Sequence, residues 1–170
     1  MFSLYISAQL EKSNRIDIVW DVYLADSLKA SMREKRGKGT RKRVAPSTVM
    51  LKNWTDFLRV DENKTELFAF LSRQAAHRPL AEGKELYATD GSGVLCLPAD
   101  LCLTHLAPCS QEEADTRLFL HLADAVQKGS KKVTIRTVDT DVVVLAVVHS
   151  ARLLPTSCGL PLASGKTFDI

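Results

Sequence analysis

An α/β domain built on a largely parallel sheet with flanking helices is the fold class that this sequence predicts, on three observations. Strand-like and helix-like segments alternate along the chain, the pattern from which parallel sheets are built. Hydrophobic residues make up 45% of the 170 residues, enough for one domain with a real core. Charged residues make up 25%, and with the spread of apolar ones this argues against wholesale disorder.

The elements follow in order. Residues 16–23 (IDIVWDVY) form a β-rich apolar run, read as a buried strand. Residues 27–36 read as a helix starting at a Ser27 cap, ended by Gly37 and Gly39, with a basic loop running on to Pro46. A short helix is expected over 53–58 and a longer one over 63–74, where Asn63 and Glu66 stand at capping-box spacing and Leu67, Phe70 and Leu71 share a face. Strands at 85–89 and 94–97 flank Asp90-Gly91-Ser92-Gly93, a hairpin turn. Ser110 is expected to cap a helix over 111–128 that Gly129 closes, with Ala114, Leu118, Leu122 and Ala125 as its core stripe. A strand at 133–138 (VTIRTV) and an apolar element at 142–149, helical at its start, complete the pattern. No internal repeat or domain boundary is visible. Residues 1–150 are expected as a single domain and 151–170 as an irregular tail.

Several function classes are excluded. The longest apolar run, 142–148, falls far short of the roughly 20 residues that span a bilayer. Residues 1–6 show neither a basic region nor a long apolar stretch, so no signal peptide is expected. Cys96, Cys102, Cys109 and Cys158 form no CxxC pair, and no His stands at zinc-ligand spacing from them. Reduced, partly buried thiols and an intracellular protein are expected. His121, mid-helix beside Leu118 and Leu122, reads as an interior histidine; Trp20 and Trp54 read as core or rim.

The net charge of +3 matters less than its placement. Residues 29–43 (KASMREKRGKGTRKR) carry Lys29, Arg33, Lys35, Arg36, Lys38, Arg41, Lys42 and Arg43 against Glu34. Such a block stays solvated unless an anion neutralises it, and DNA or RNA phosphate fits. A solvated linker, or an import signal giving a nuclear location, accounts for it equally.

The chemistry lies in two acidic clusters. Glu112-Glu113-Ala114-Asp115 opens the long predicted helix, where acids complement the helix dipole. Asp139-Thr140-Asp141 directly follows the strand VTIRTV, at the sheet edge where ligands of open α/β sheets bind. Carboxylates crowded there repel unless a hard cation bridges them, and Mg²⁺ or Mn²⁺ takes such oxygen ligands.

The order QEEADTRLFLHLADAVQKG, then VTIRTVDTDVVVLAV, resembles the internal region of the flap-endonuclease (XPG-type) group of the PIN-like nuclease superfamily. In that group a helix opening Glu-Ala-Glu is followed by a strand ending Asp-x-Asp, and the acids hold metal ions. The resemblance implies metal-ligand roles for Glu113, Asp115, Asp139 and Asp141. The upstream segment IVWDVYLADSLKASMREKR is similar to the family's strand ending in a further metal-site acid, which maps onto Asp21. Lys29 and Arg36 fall where the family keeps basic residues that approach the scissile phosphate. The family's Asp-Gly dipeptide is Asp21-Val22 here. The wording EEADTR with DTDVVVLAV also resembles metazoan open reading frames linked to mobile elements.

The resemblance covers 16–43 and 111–148 and implies a three-layer fold that hydrolyses phosphodiesters of nucleic acid with Mg²⁺ or Mn²⁺. Family members carry another acid on a strand near the N-terminus, absent from residues 1–15, so a truncated first strand is expected. The segment PTSCGLPL reads as a strand when shifted in frame, so a frameshifted tail is a hypothesis; an uninterrupted frame at intact parent loci would sink it. Two alternatives stand beside the nuclease. One is a non-catalytic nucleic-acid-binding remnant of the fold. The other is a phosphatase with Asp139 as nucleophile and Asp141 as acid/base, though only 142–170 remain for its further Lys and Asp motifs.

Overall fold

The computed structural model describes residues 2–24, 39–49, 52–137, 139–153 and 167–169. The chain divides into two compact units, Met1–Ala114 and Asp115–Ile170.

The first unit holds α1 (Phe2–Lys12), β1 (Arg15–Ile18), α2 (Trp54–Leu58), α3 (Asp61–Ala76), β2 (Glu85–Asp90) and β3 (Gly93–Leu97). Its open sheet runs β1-β2-β3, with β1 parallel and β3 antiparallel to β2. Leu86, Tyr87, Ala88 and Thr89 are all buried, as a central strand covered on both faces requires. Ile6 and Leu10 of α1 and Ala75 of α3 close over Leu86 and Ala88, with Ile16, Ile18 and Leu97 at the margin. Full burial of a Leu or Ile side chain such as Leu86 or Ile6 contributes about 1.5–3 kcal/mol. Arg15 lies over the Tyr87 ring, 4.1 Å from its centroid, and grips Asp17 at 2.7 Å.

The second unit holds α4 (Ala114–Gln127, whose first residue belongs to the first unit), β4 (Thr134–Arg136), α5 (Thr140–Leu153) and β5 (Thr167–Asp169). Phe119, Leu122, Ile135, Val142 and Ala146 form its core. Gly129, at φ +94°, ends α4 as expected: its N–H bonds the Val126 carbonyl and that of Ser130 bonds Ala125, each at 2.9 Å. β4 and β5 pair antiparallel.

The architecture is therefore mixed α/β with a small open sheet and flanking helices. The structure departs from the expected pattern in several places. Only the β1–β2 pairing is parallel among the described strands. β1 ends at Ile18 because the following chain turns to other partners: the Trp20 N–H bonds the Thr89 hydroxyl at 3.0 Å. α3 starts at Asp61, so Asn63 is no cap; its amide serves another segment. α4 starts at Ala114, leaving Glu112 and Glu113 just before the helix. α1 was not expected, although Phe2, Ile6 and Leu10 stand at helical spacing. The segment 151–170, read as irregular, holds the last turn of α5 and the strand β5. The helix expected over 27–36 lies outside the described residues. No described helix is long and apolar enough to cross a membrane.

Candidate metal centre

Asp21 owes its place to a relay at the end of the sheet. The Trp20 indole stacks on Phe68 of α3, with centroids 4.6 Å apart and planes 7° from parallel. Its Nε1–H donates to the Ser72 hydroxyl at 2.9 Å, which donates to the Thr89 carbonyl at 2.8 Å. Held in this way, the next two residues reach the segment preceding α4. The Val22 N–H donates to the Glu112 carbonyl at 2.7 Å, and Asp21 Oδ1 accepts the Ala114 N–H at 2.8 Å, across 93 residues of chain. Asp21 therefore supplies an acceptor to an N–H at the start of α4, where the backbone leaves donors unsatisfied. Its exposed carboxylate also has Oδ2 3.4 Å from the Tyr23 hydroxyl, and Tyr23 lies under Lys64 Nζ, 3.9 Å from the ring centroid. Two segments that the sequence assigns to one site thus meet in this unit, Asp21 beside Glu113.

Asp115 lies in the first turn of α4. In the second unit, Asp139 and Asp141 open α5 and are exposed. Asp139 Oδ1 accepts the Asp141 N–H at 2.9 Å, an N-cap hydrogen bond, and the Asp139 N–H donates to Thr137 Oγ1 at 3.0 Å. Asp141 sits in the first turn, where a negative charge complements the helix dipole. Carboxylate oxygens are the donors that Mg²⁺ and Mn²⁺ take, so the donor chemistry fits a hard divalent ion. Among the described residues, no three His, Cys, Asp or Glu side chains converge as a metal ligand set.

Of the basic segment, Lys29, Arg33, Lys35, Arg36 and Lys38 lie outside the described residues, and Arg41, Lys42 and Arg43 lie within them. Arg41, although exposed, is engaged within the protein: it donates to Asn63 Oδ1 at 3.0 Å and forms an ion pair with Glu66. Buried Asn63 fastens the segment further, its Oδ1 accepting the Lys42 N–H at 2.9 Å. Its Nδ2 donates to the carbonyls of Thr40 at 2.8 Å and Phe57 at 2.9 Å. The Arg41 hydrogen bond and the Val44 N–H hold the Glu66 carboxyl below its ordinary range, against a smaller opposing effect of burial. Lys42 Nζ donates to the Val49 carbonyl at 2.7 Å, and Arg43 is exposed.

Sequence reasoning missed Tyr23 and the Asn63–Glu66 latch. The Asn-x-x-Glu spacing did flag the latch, but as a cap. His121 is buried, with Arg117 and Asp124, along one side of α4. Cys109 is buried, whereas Cys102 is exposed and bonded to Thr104. Compared with family models, curated proteins and solved structures, the chain matches none.

Proposed function

We propose divalent-metal-dependent hydrolysis of nucleic-acid phosphodiesters on a PIN-like, three-layer nuclease fold. The observation that supports this reading is the meeting of Asp21 with the Glu112–Ala114 segment, two acid-bearing segments far apart in sequence. Asp21, Glu113, Asp115, Asp139 and Asp141 would hold Mg²⁺ or Mn²⁺. When bound, such an ion supplies Lewis-acid stabilisation of charge on the phosphate and acidifies water at the site. Asp21 accepts the Ala114 N–H and so holds the backbone next to Glu113. Lys29 and Arg36 would neutralise the scissile phosphate and its neighbours.

A second reading, a non-catalytic nucleic-acid-binding module, draws on the N-cap hydrogen bond of Asp139, which accounts for that acid without any cation. Calorimetric titration with Mg²⁺ and with Mn²⁺ tests the first, on the wild-type chain and on Asp139→Asn/Asp141→Asn. The Asn at 139 retains a cap acceptor, so the fold is spared. Saturable binding lost in the variant is expected. A folded chain that binds neither ion overturns it. Binding of a labelled hairpin without metal-dependent cleavage selects the second reading.

A further inference from the structure

The surface around α2 combines an exposed aromatic ring with cations that no sheet or core requires. Trp54 lies flat on Phe57, with centroids 5.0 Å apart and planes 16° from parallel. Phe57 is 4% exposed and anchors the pair, whereas Trp54 remains 38% exposed. Asn53 caps the helix, accepting the Asp56 N–H at 3.2 Å, so the indole sits at the first position of a fixed helix start. Val49, five residues earlier in the chain, is 79% exposed.

Between residues 39 and 60 the chain carries Arg41, Lys42, Arg43, Lys52 and Arg59 against a single acid, Asp56. The segment from Gly39 is bound to α2 and its exit: the Thr40 N–H donates to the Asp56 carbonyl at 3.3 Å, and a Cβ on Gly39 would overlap that carbonyl. Arg41 is taken by Glu66 and Arg59 pairs with Asp56 at 3.1 Å. Arg43 and Lys52 are exposed. The result is an exposed π-face backed by a buried ring, with exposed Lys52 two residues before it in sequence and exposed Arg43 on the segment that Thr40 bonds to α2.

We propose that Trp54 is a stacking platform for an unpaired base, and that Arg43 and Lys52 take the flanking phosphates of a single strand. A duplex offers neither an open base face nor a reason for an exposed indole, whereas single-strand sites pair aromatic stacking with a cationic track. The assignment rests on the nucleic-acid reading above and narrows it to unpaired nucleotides.

The test is fluorescence anisotropy of a labelled oligothymidylate and of a labelled blunt-ended duplex without a loop, with EDTA present so that neither is cut. Wild type, Trp54→Ala and Trp54→Phe are compared, each checked for its unfolding transition. Loss of one stacked base weakens single-strand binding about ten-fold or more in Trp54→Ala. Duplex binding is unchanged, and Trp54→Phe is intermediate because it keeps a ring on Phe57. Oligothymidylate bound equally by wild type and folded Trp54→Ala overturns the platform and leaves the nucleic-acid reading standing. Failure of wild type to bind either probe overturns both.

Discussion

Glu66 shows how one carboxylate sets a pH dependence. Its folded pKa lies below its ordinary 4.5, chiefly through Arg41. The stabilisation it brings is therefore present above 4.5 and is lost as the pH falls through the folded value. The urea midpoint of the wild type should fall over that acidic window, and Glu66→Gln should flatten this part of the profile while lowering the neutral midpoint. A profile unchanged by the substitution would remove Glu66 from the latch. Asp21 separates two roles in the same way. Asp21→Ala removes an acceptor at the start of α4 and should cost about 1 kcal/mol of stability. Asp21→Asn keeps the acceptor and should cost far less, while still losing any divalent-cation binding. Equal destabilisation by Ala and Asn in chemical denaturation would contradict the capping role.

At the scale of elements, Gly129 and Gly39 are constrained for different physical reasons. Gly129 sits at φ +94° with nothing near a would-be Cβ, so Gly129→Ala should cost about 1 kcal/mol through backbone strain alone. Gly39→Ala should instead push residues 39–42 off the α2 exit, read as lost amide protection at Thr40 and Lys42. The hairpin, α2 and the end of α4 were legible because each rests on a local signal: Asp-Gly-Ser-Gly, Asn53 and Gly129. The start of α3 was not, because Asn63 and Glu66 stand three apart either to cap a helix or to grip a neighbour on its surface. Only the tertiary partner, the segment from Thr40 to Val44, decides between them. Residues 19–23 mislead in the same sense. Their β-rich composition reads as strand, yet their amides bond Thr89 and Glu112 rather than a ladder. The acids of the candidate site were legible as residue types, but the bond from Asp21 to Ala114 spans 93 residues and leaves no local trace.

On the scale of the whole chain, each compact unit carries its own apolar cluster. Leu86→Ala, at a fully buried position, should cost about 2–5 kcal/mol, with amide protection lost in α1, β1 and α3. Ile135→Ala should do the same in α4 and α5; hydrogen exchange followed by mass spectrometry would reveal any other distribution. The parallel pairing of β1 with β2 has a consequence in time rather than in energy. Arg15 pairs with Glu85, so the loop to be closed spans 85 − 15 = 70 positions, whereas Asp90 meets Gly93 across a tight turn. Long closures are slow, and the chain leaves the ribosome N-terminus first. β1 is thus made early and waits, unpaired, until β2 has emerged. A conservative truncation in β1, Ile16→Val, weakens the slow closure and should therefore lower the folding rate, as the folding limb of a chevron plot would record.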